Sequence, residues 1–164
     1  MKMKFVTDYF NAEKFESVFF IGVGIIAIAL GIYLWFCMKE PYYKGISIPL
    51  VLIAFIQLTV GITVCFRSPK DIIKIERVLK NEHSKIQTQE IPRMEAVIKN
   101  FIIYRYTEIL LIILGIVLFF YFPSQTFWKG VGIGLFIQSG LMLSLDYFAE
   151  KRGTEYLHYL KKLN

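Results

Sequence analysis

The sequence predicts an all-α integral membrane protein, with four transmembrane helices in two hairpins and amphipathic helical extensions on the cytoplasmic side. Three observations predict it. The chain has 164 residues, is 55% apolar and has a mean hydropathy of +0.51, which is high for a soluble domain of that length. Two runs, 17–36 and 46–66, carry no charge over 20 and 21 residues, and a helix of ~20 apolar residues crosses a ~30 Å hydrocarbon core. Third, the basic residues are distributed very unevenly between the connecting segments. The whole chain, 1–164, reads as a single four-span domain.

The first span is 17–36 (SVFFIGVGIIAIALGIYLWF) and the second 46–66 (ISIPLVLIAFIQLTVGITVCF). The first does not read as a cleaved signal peptide, because the region before it is long and CMKEP after it offers no small-residue cleavage site. The third span is 101–122 and holds Arg105 and Glu108. It needs this polar start to reach across, since few residues separate Glu108 from Pro123. The fourth, 128–147, runs from Trp128 to Tyr147.

Sorting basic residues by segment sets the orientation. The N-terminal tail, the central connector 67–100 and the C-terminal tail together hold 15, whereas the two short loops hold three, Lys39, Lys44 and Lys129. Cationic loops stay cytoplasmic, so both termini and the connector are expected inside, with the protein multi-pass in the inner (cytoplasmic) membrane. The formal charge of +6 then serves topology and attraction to anionic lipid heads. No nucleic-acid motif accompanies it. Cys37 and Cys65 fall at opposite ends of their spans, too far apart for a disulfide. Trp35, Phe36, Tyr42, Tyr43, Tyr121, Phe122, Phe127 and Trp128 read as one interfacial belt, and Tyr104, Tyr106, Tyr147 and Phe148 as the other.

The connector is expected to be helical in two pieces. Ser68-Pro69 reads as a helix start, with Ser as N-cap and Pro in the first position, and Ile72, Ile75, Val78 and Leu79 then form a stripe. Residues 81–90 (NEHSKIQTQE) read as a polar turn. Pro92 opens a further helix, with Met94, Ile98 and Phe101 on one face, that runs unbroken into the third span. The fourth span likewise continues into a cytoplasmic helix over 148–162, weakened slightly by Gly153. The apolar faces of these extensions must cover one another, a partner or the membrane surface.

The two halves share weak similarity. KGISIPL at 44–50 matches KGVGIGL at 129–135, and GIYLWF at 31–36 matches GIVLFF at 115–120. The offsets are 85 and 84 residues, as parallel hairpin repeats would produce.

Polar residues within the spans are the candidate partner or substrate site: Arg105, Glu108, Gln57, Gln138 and Asp146. Arg105 and Glu108 share a helix face with Ile112 and Gly115, and their spacing lets them pair. Glu108 lies about 10 Å deep at 1.5 Å per residue, where an unpaired charge costs several kcal/mol. The pair reads first as a structural ion pair at the inner boundary and second as an ion, proton or substrate site. Gln57 and Gln138 sit near span midpoints, where an amide needs a partner on another helix. Asp146 reads as an interfacial acid. Ala27 with Gly31, Gly115, and Gly130 with Gly134 read as helix-packing positions.

No nucleophile elbow, P-loop or metal-ligand cluster is present, no His lies in a span, and neither His83 nor His158 has a metal-ligand spacing. No catalytic residues, metal or cofactor are therefore expected. The leading expectation is a non-enzymatic protein that binds another protein in or at the membrane, such as immunity-type protection against a membrane-acting toxin or a subunit of a membrane complex. The alternative is a small oligomeric transporter or channel using Glu108, Arg105, Gln57 and Gln138. Expected partners are the lipid bilayer and a membrane protein or toxin, with no nucleic acid; a homo-oligomer is compatible.

Overall fold

The computed structural model describes residues 2–81 and 84–162. Those residues fold into four long helices, α1 (Lys2–Cys37), α2 (Pro41–Asn81), α3 (Ile91–Tyr121) and α4 (Phe127–Lys162), with a π-helical turn at Ile86–Glu90 leading into α3. All four are long and apolar enough to cross a membrane. Dozens of large apolar side chains along them are exposed, among them Phe36, Ile56, Leu110, Phe120 and Phe136. A soluble monomer rarely exposes such patches, so the arrangement points to a membrane protein.

Residue contacts fix the helix order. α1 packs along α2 in the opposite direction: Gly31 meets Ser47 and Val51, Gly24 meets Ala54 and Leu58, and Gly61 meets Ser17 and Ile21. α4 packs along α3 in the same manner, with Gly115 against Gly132 at one end and Lys161 paired with Glu95 at the other. α2 and α4 run side by side, from Gly45 and Gly130 to Gln57 and Gln138. The start of α1, the end of α2, the start of α3 and the end of α4 therefore share one end of the molecule. At the other end, Thr126 caps α4: its Oγ1 accepts from the Lys129 N–H at 3.4 Å, satisfying a donor that the first helical turn leaves free.

Interior packing differs along the long axis. At the end opposite the termini α2 and α4 meet on backbone. A Cβ added to Gly45 would collide with the Phe127 carbonyl, and one on Gly130 with the Tyr42 carbonyl. At the end that holds the termini the interior is side chains instead. Val6, Phe10, Ile75, Val78, Leu79, Ile86, Met94, Tyr156 and Leu160 form a buried cluster, each large member contributing about 1.5–3 kcal/mol by leaving water. Gly153 there makes room for Ile98 and Met94 of α3.

The contacts repeat between halves at the offset seen in the sequence. Gly31 meets Ser47, Leu50 and Val51, while Gly115 meets Gly132, Leu135 and Phe136. Lys44 lies over the Trp35 ring at 5.8 Å, and Lys129 over the Phe119 ring at 4.5 Å. Gly45 touches Phe127 and Val131, and Gly130 touches the equivalents, Tyr42 and Ile46. Each half offers the other the same surface, as across a two-fold axis.

Two local expectations are corrected. Ser68 caps no helix, because α2 continues through Pro69 to Asn81. Its Oγ instead lies within hydrogen-bond distance of the Val64 carbonyl at 2.9 Å and of Glu13 at 2.8 Å and gives its one proton to either acceptor. Nor do residues 84–90 form a turn; they are helical, because Ile86 is drawn into the core and Glu90 into a buried ion pair with Arg93. The rest of the expected turn, with His83, lies outside the described residues.

Candidate functional site

The buried polar groups form two levels along the bundle. At the middle level, Gln57 and Gln138 are fully buried. Gln138 Nε2 donates to Gln57 Oε1 at 2.9 Å, and Gln57 Nε2 donates to the Phe20 carbonyl at 2.9 Å. One relay thus ties α4 to α2 and α2 to α1. Gln138 Oε1 and the neighbouring Ser139 Oγ are buried without a protein partner.

About two turns nearer the termini, eight residues on from Gln138 along α4, lies the acidic level. The Glu108 and Asp146 carboxyls face each other closely enough to interact directly. Glu108 is only 6% exposed, and its Oε2 has no partner. The expected Arg105–Glu108 pair does not form. Arg105 turns outward and binds Glu150 of α4 at 3.3 Å, because its long side chain reaches the better-solvated end of the bundle. Asp146 is accordingly not an isolated interfacial acid but the carboxyl that confronts Glu108. Two carboxylates in contact repel, and the repulsion is relieved either by a proton held between them or by a bound cation. Among the described residues, neither carboxyl forms a salt bridge, and Arg105, which borders Asp146, is held by Glu150.

Beneath this level all four helices line a cavity of about 230 Å³. Asp146 is part of its wall, together with Phe20 and Val64, Tyr104 and Phe101. Its two arginines are engaged. Arg67 binds Glu13 at 2.9 Å and Asp71 at 3.1 Å, and Arg152 makes a two-pronged contact with Glu16. Burial pushes the Arg152 guanidinium below its ordinary value.

A second polar cluster closes the terminal core. Arg93 grips Glu90 through Nε at 2.9 Å and Nη2 at 2.6 Å. Tyr156 donates to Glu90 at 3.3 Å and stacks on Tyr9 with ring centroids 4.1 Å apart. Burial raises both phenols, helped by Glu13 beside Tyr9 and Glu90 beside Tyr156. Burial opposes the Arg93 charge, but the Glu90 contact outweighs it and raises the guanidinium.

The structure thus brings together Gln57 with Gln138 and Glu108 with Asp146, and separates Arg105 from both pairs. Gly31, Gly115, Gly130 and Gly134 sit at close helix contacts, and Ala27 is buried. Sequence reasoning missed Glu13, Glu16, Arg67 and Arg152. Their signal was present in α1, where Val6, Phe10, Glu13, Ser17, Phe20, Gly24 and Ala27 recur every three or four residues. That stripe is the inward face, and it carries a carboxylate. No group of three His, Cys, Asp or Glu able to hold a metal ion occurs among the described residues. No protein-family model, curated protein or solved structure matches the chain.

Proposed function

We propose that the chain is a non-enzymatic four-span protein of the inner membrane, two hairpins with both termini cytoplasmic, that acts by binding another membrane protein. One observation carries this reading. Most glycines of the apolar helices close an internal seam, but a Cβ on Gly22 of α1 or on Gly140 of α4 would meet nothing within 4 Å, and of the two Gly140 has a second small residue one turn on. Glycine inside a helix costs roughly 0.5–1 kcal/mol relative to alanine, and no internal contact of Gly140 offsets that. Gly140 and Ser144 form a small-xxx-small edge on the outer side of α4, beside exposed Ile137 and Leu141. Such an edge admits a second transmembrane helix at close range. Immunity-type capture of a membrane-acting toxin and membership of a larger membrane complex are the two forms this function takes.

A photo-crosslinking residue at Ile137 in the full-length protein tests it in the cell membrane. The expected product is one discrete protein adduct, lost in Gly140→Leu and kept in Gly140→Ala. Lipid adducts alone, or an adduct indifferent to Gly140→Leu, overturn the reading.

The Glu108–Asp146 contact favours a second reading, a small oligomeric transporter or channel. Ion flux into proteoliposomes that disappears in Glu108→Gln supports it. Absence of flux for a panel of monovalent ions and amines removes it.

A further inference from the structure

We propose that the cavity below Asp146 is a binding site for a small organic ammonium ion with an apolar body. The inference stands whether the chain carries such a ligand across the membrane or only holds it. It begins with the repeat. At the offsets that match the halves, Glu108 corresponds to Gly24 and Asp146 to Gly61. In the first half these glycines let α1 and α2 close on each other, with Leu58 and Ile21 filling the seam. The same seam between α3 and α4 therefore needs no carboxyl for packing, yet it holds two.

Charge supplies the next step. The cavity wall carries Glu13, Glu16 and Asp146 against Arg67 and Arg152. Each arginine is bound to a glutamate, and Arg105, the nearest other cation on α3, is bound to Glu150. Asp146 alone is left without a cation, and behind it Glu108 keeps a buried, unpartnered Oε2. A bound cation takes the place of the shared proton that otherwise relieves the repulsion of the two carboxyls, and pairs with the carboxylate on the cavity wall.

The remaining wall selects the body of the ligand. Phe20, Val60, Val64, Val97 and Phe101 are apolar, and Tyr104 adds an aromatic face. A hydrated inorganic ion gains nothing from such walls, whereas an alkyl or aryl group does, and aromatic faces attract ammonium groups. About 230 Å³ equals roughly eight waters at ~30 Å³ each, the bulk of a one-ring amine.

The test is calorimetric titration of the purified full-length protein in nanodiscs with three probes of one shape: 2-phenylethylammonium, 2-phenylethanol and 3-phenylpropionate. Saturable binding of the ammonium alone is expected, weakened at least tenfold in Asp146→Asn and also weakened in Glu108→Gln. Equal binding of the alcohol, or an ammonium affinity unchanged in both variants, overturns the proposal. Should Asp146→Asn fail to fold, the three-probe series on the unaltered protein and Glu108→Gln still decide it.

Discussion

Gln138 Nε2 donates to Gln57 Oε1 at 2.9 Å, and this one bond joins the two halves of the molecule at mid-depth, where both side chains are fully buried. Toward the end opposite the termini α2 and α4 meet through glycine and backbone, so at mid-depth this side-chain bond helps to set the register of α2 against α4. Gln57→Leu removes both the bond and the tie to the Phe20 carbonyl and strands the Gln138 amide. It is expected to cost about 1–2 kcal/mol, the upper part of the range for interhelical bonds in membranes. The double variant Gln57→Leu/Gln138→Leu should cost less than the two singles added, because neither partner is then left unpaired. A double-mutant cycle from denaturant unfolding in detergent micelles measures it; strict additivity would mean that the bond contributes nothing.

The glycine seams should respond unequally to the same change. An added methyl on Gly45 collides with the Phe127 carbonyl, and backbone cannot step aside cheaply. Gly45→Ala is therefore expected to destabilise by more than ~2 kcal/mol, a typical cost of forced backbone shifts. Gly140→Ala meets open space and should leave stability unchanged or raise it by up to ~1 kcal/mol. Comparable thermal midpoints for the two variants would contradict the seam.

How much of this was legible beforehand depends on what each residue must satisfy. The four long apolar helices follow from uninterrupted apolar runs, and the continuity of α3 from Pro92 through the third span follows from the absence of any breaker. The need of Gln57 and Gln138 for partners was also readable, because a buried amide must find one. Which partner each finds was not, since it depends on how α2 meets α4. Arg105 shows the same limit. Its spacing permits a bond to Glu108, but Glu150, 45 positions away in sequence, offers a better-solvated carboxylate. Local rules failed at Ser68-Pro69, where a strong start signal lies inside one continuous helix. There Glu13, reaching across from α1, binds Ser68 and Arg67 and overrides the local preference.

Two ion pairs of similar appearance should differ widely in importance. Glu90 has a nearly buried side chain, 4% exposed, and Arg93 holds it with two hydrogen bonds. Arg93→Leu leaves that carboxylate buried with only Tyr156 to bind it, and a broken buried pair costs about 3–5 kcal/mol. Arg105 is 40% exposed in its contact with Glu150, so Arg105→Gln is expected to cost no more than ~1 kcal/mol. Unfolding midpoints at pH 7 compare the two directly; a larger loss for Arg105→Gln reverses the assignment.

The stacked phenols Tyr9 and Tyr156 make the terminal core sensitive to alkali. Burial, with Glu13 and Glu90 nearby, raises both above their ordinary value in the folded protein, whereas in the unfolded chain each ionises near 10. Above about pH 10 the folded state binds more protons than the unfolded one, so unfolding releases protons and stability falls as pH rises. Below that pH this contribution is fully present. Other groups titrate in the same window, so the decisive quantity is a difference between variants. Tyr9→Phe and Tyr156→Phe should each lose less stability than the unaltered protein between pH 9 and pH 11. At pH 9 itself Tyr156→Phe should be weaker by about 1 kcal/mol, since its hydroxyl no longer donates to Glu90. Thermal unfolding followed by circular dichroism at the two pH values reads both effects, and an identical alkaline loss in all three proteins would remove the phenols from the account.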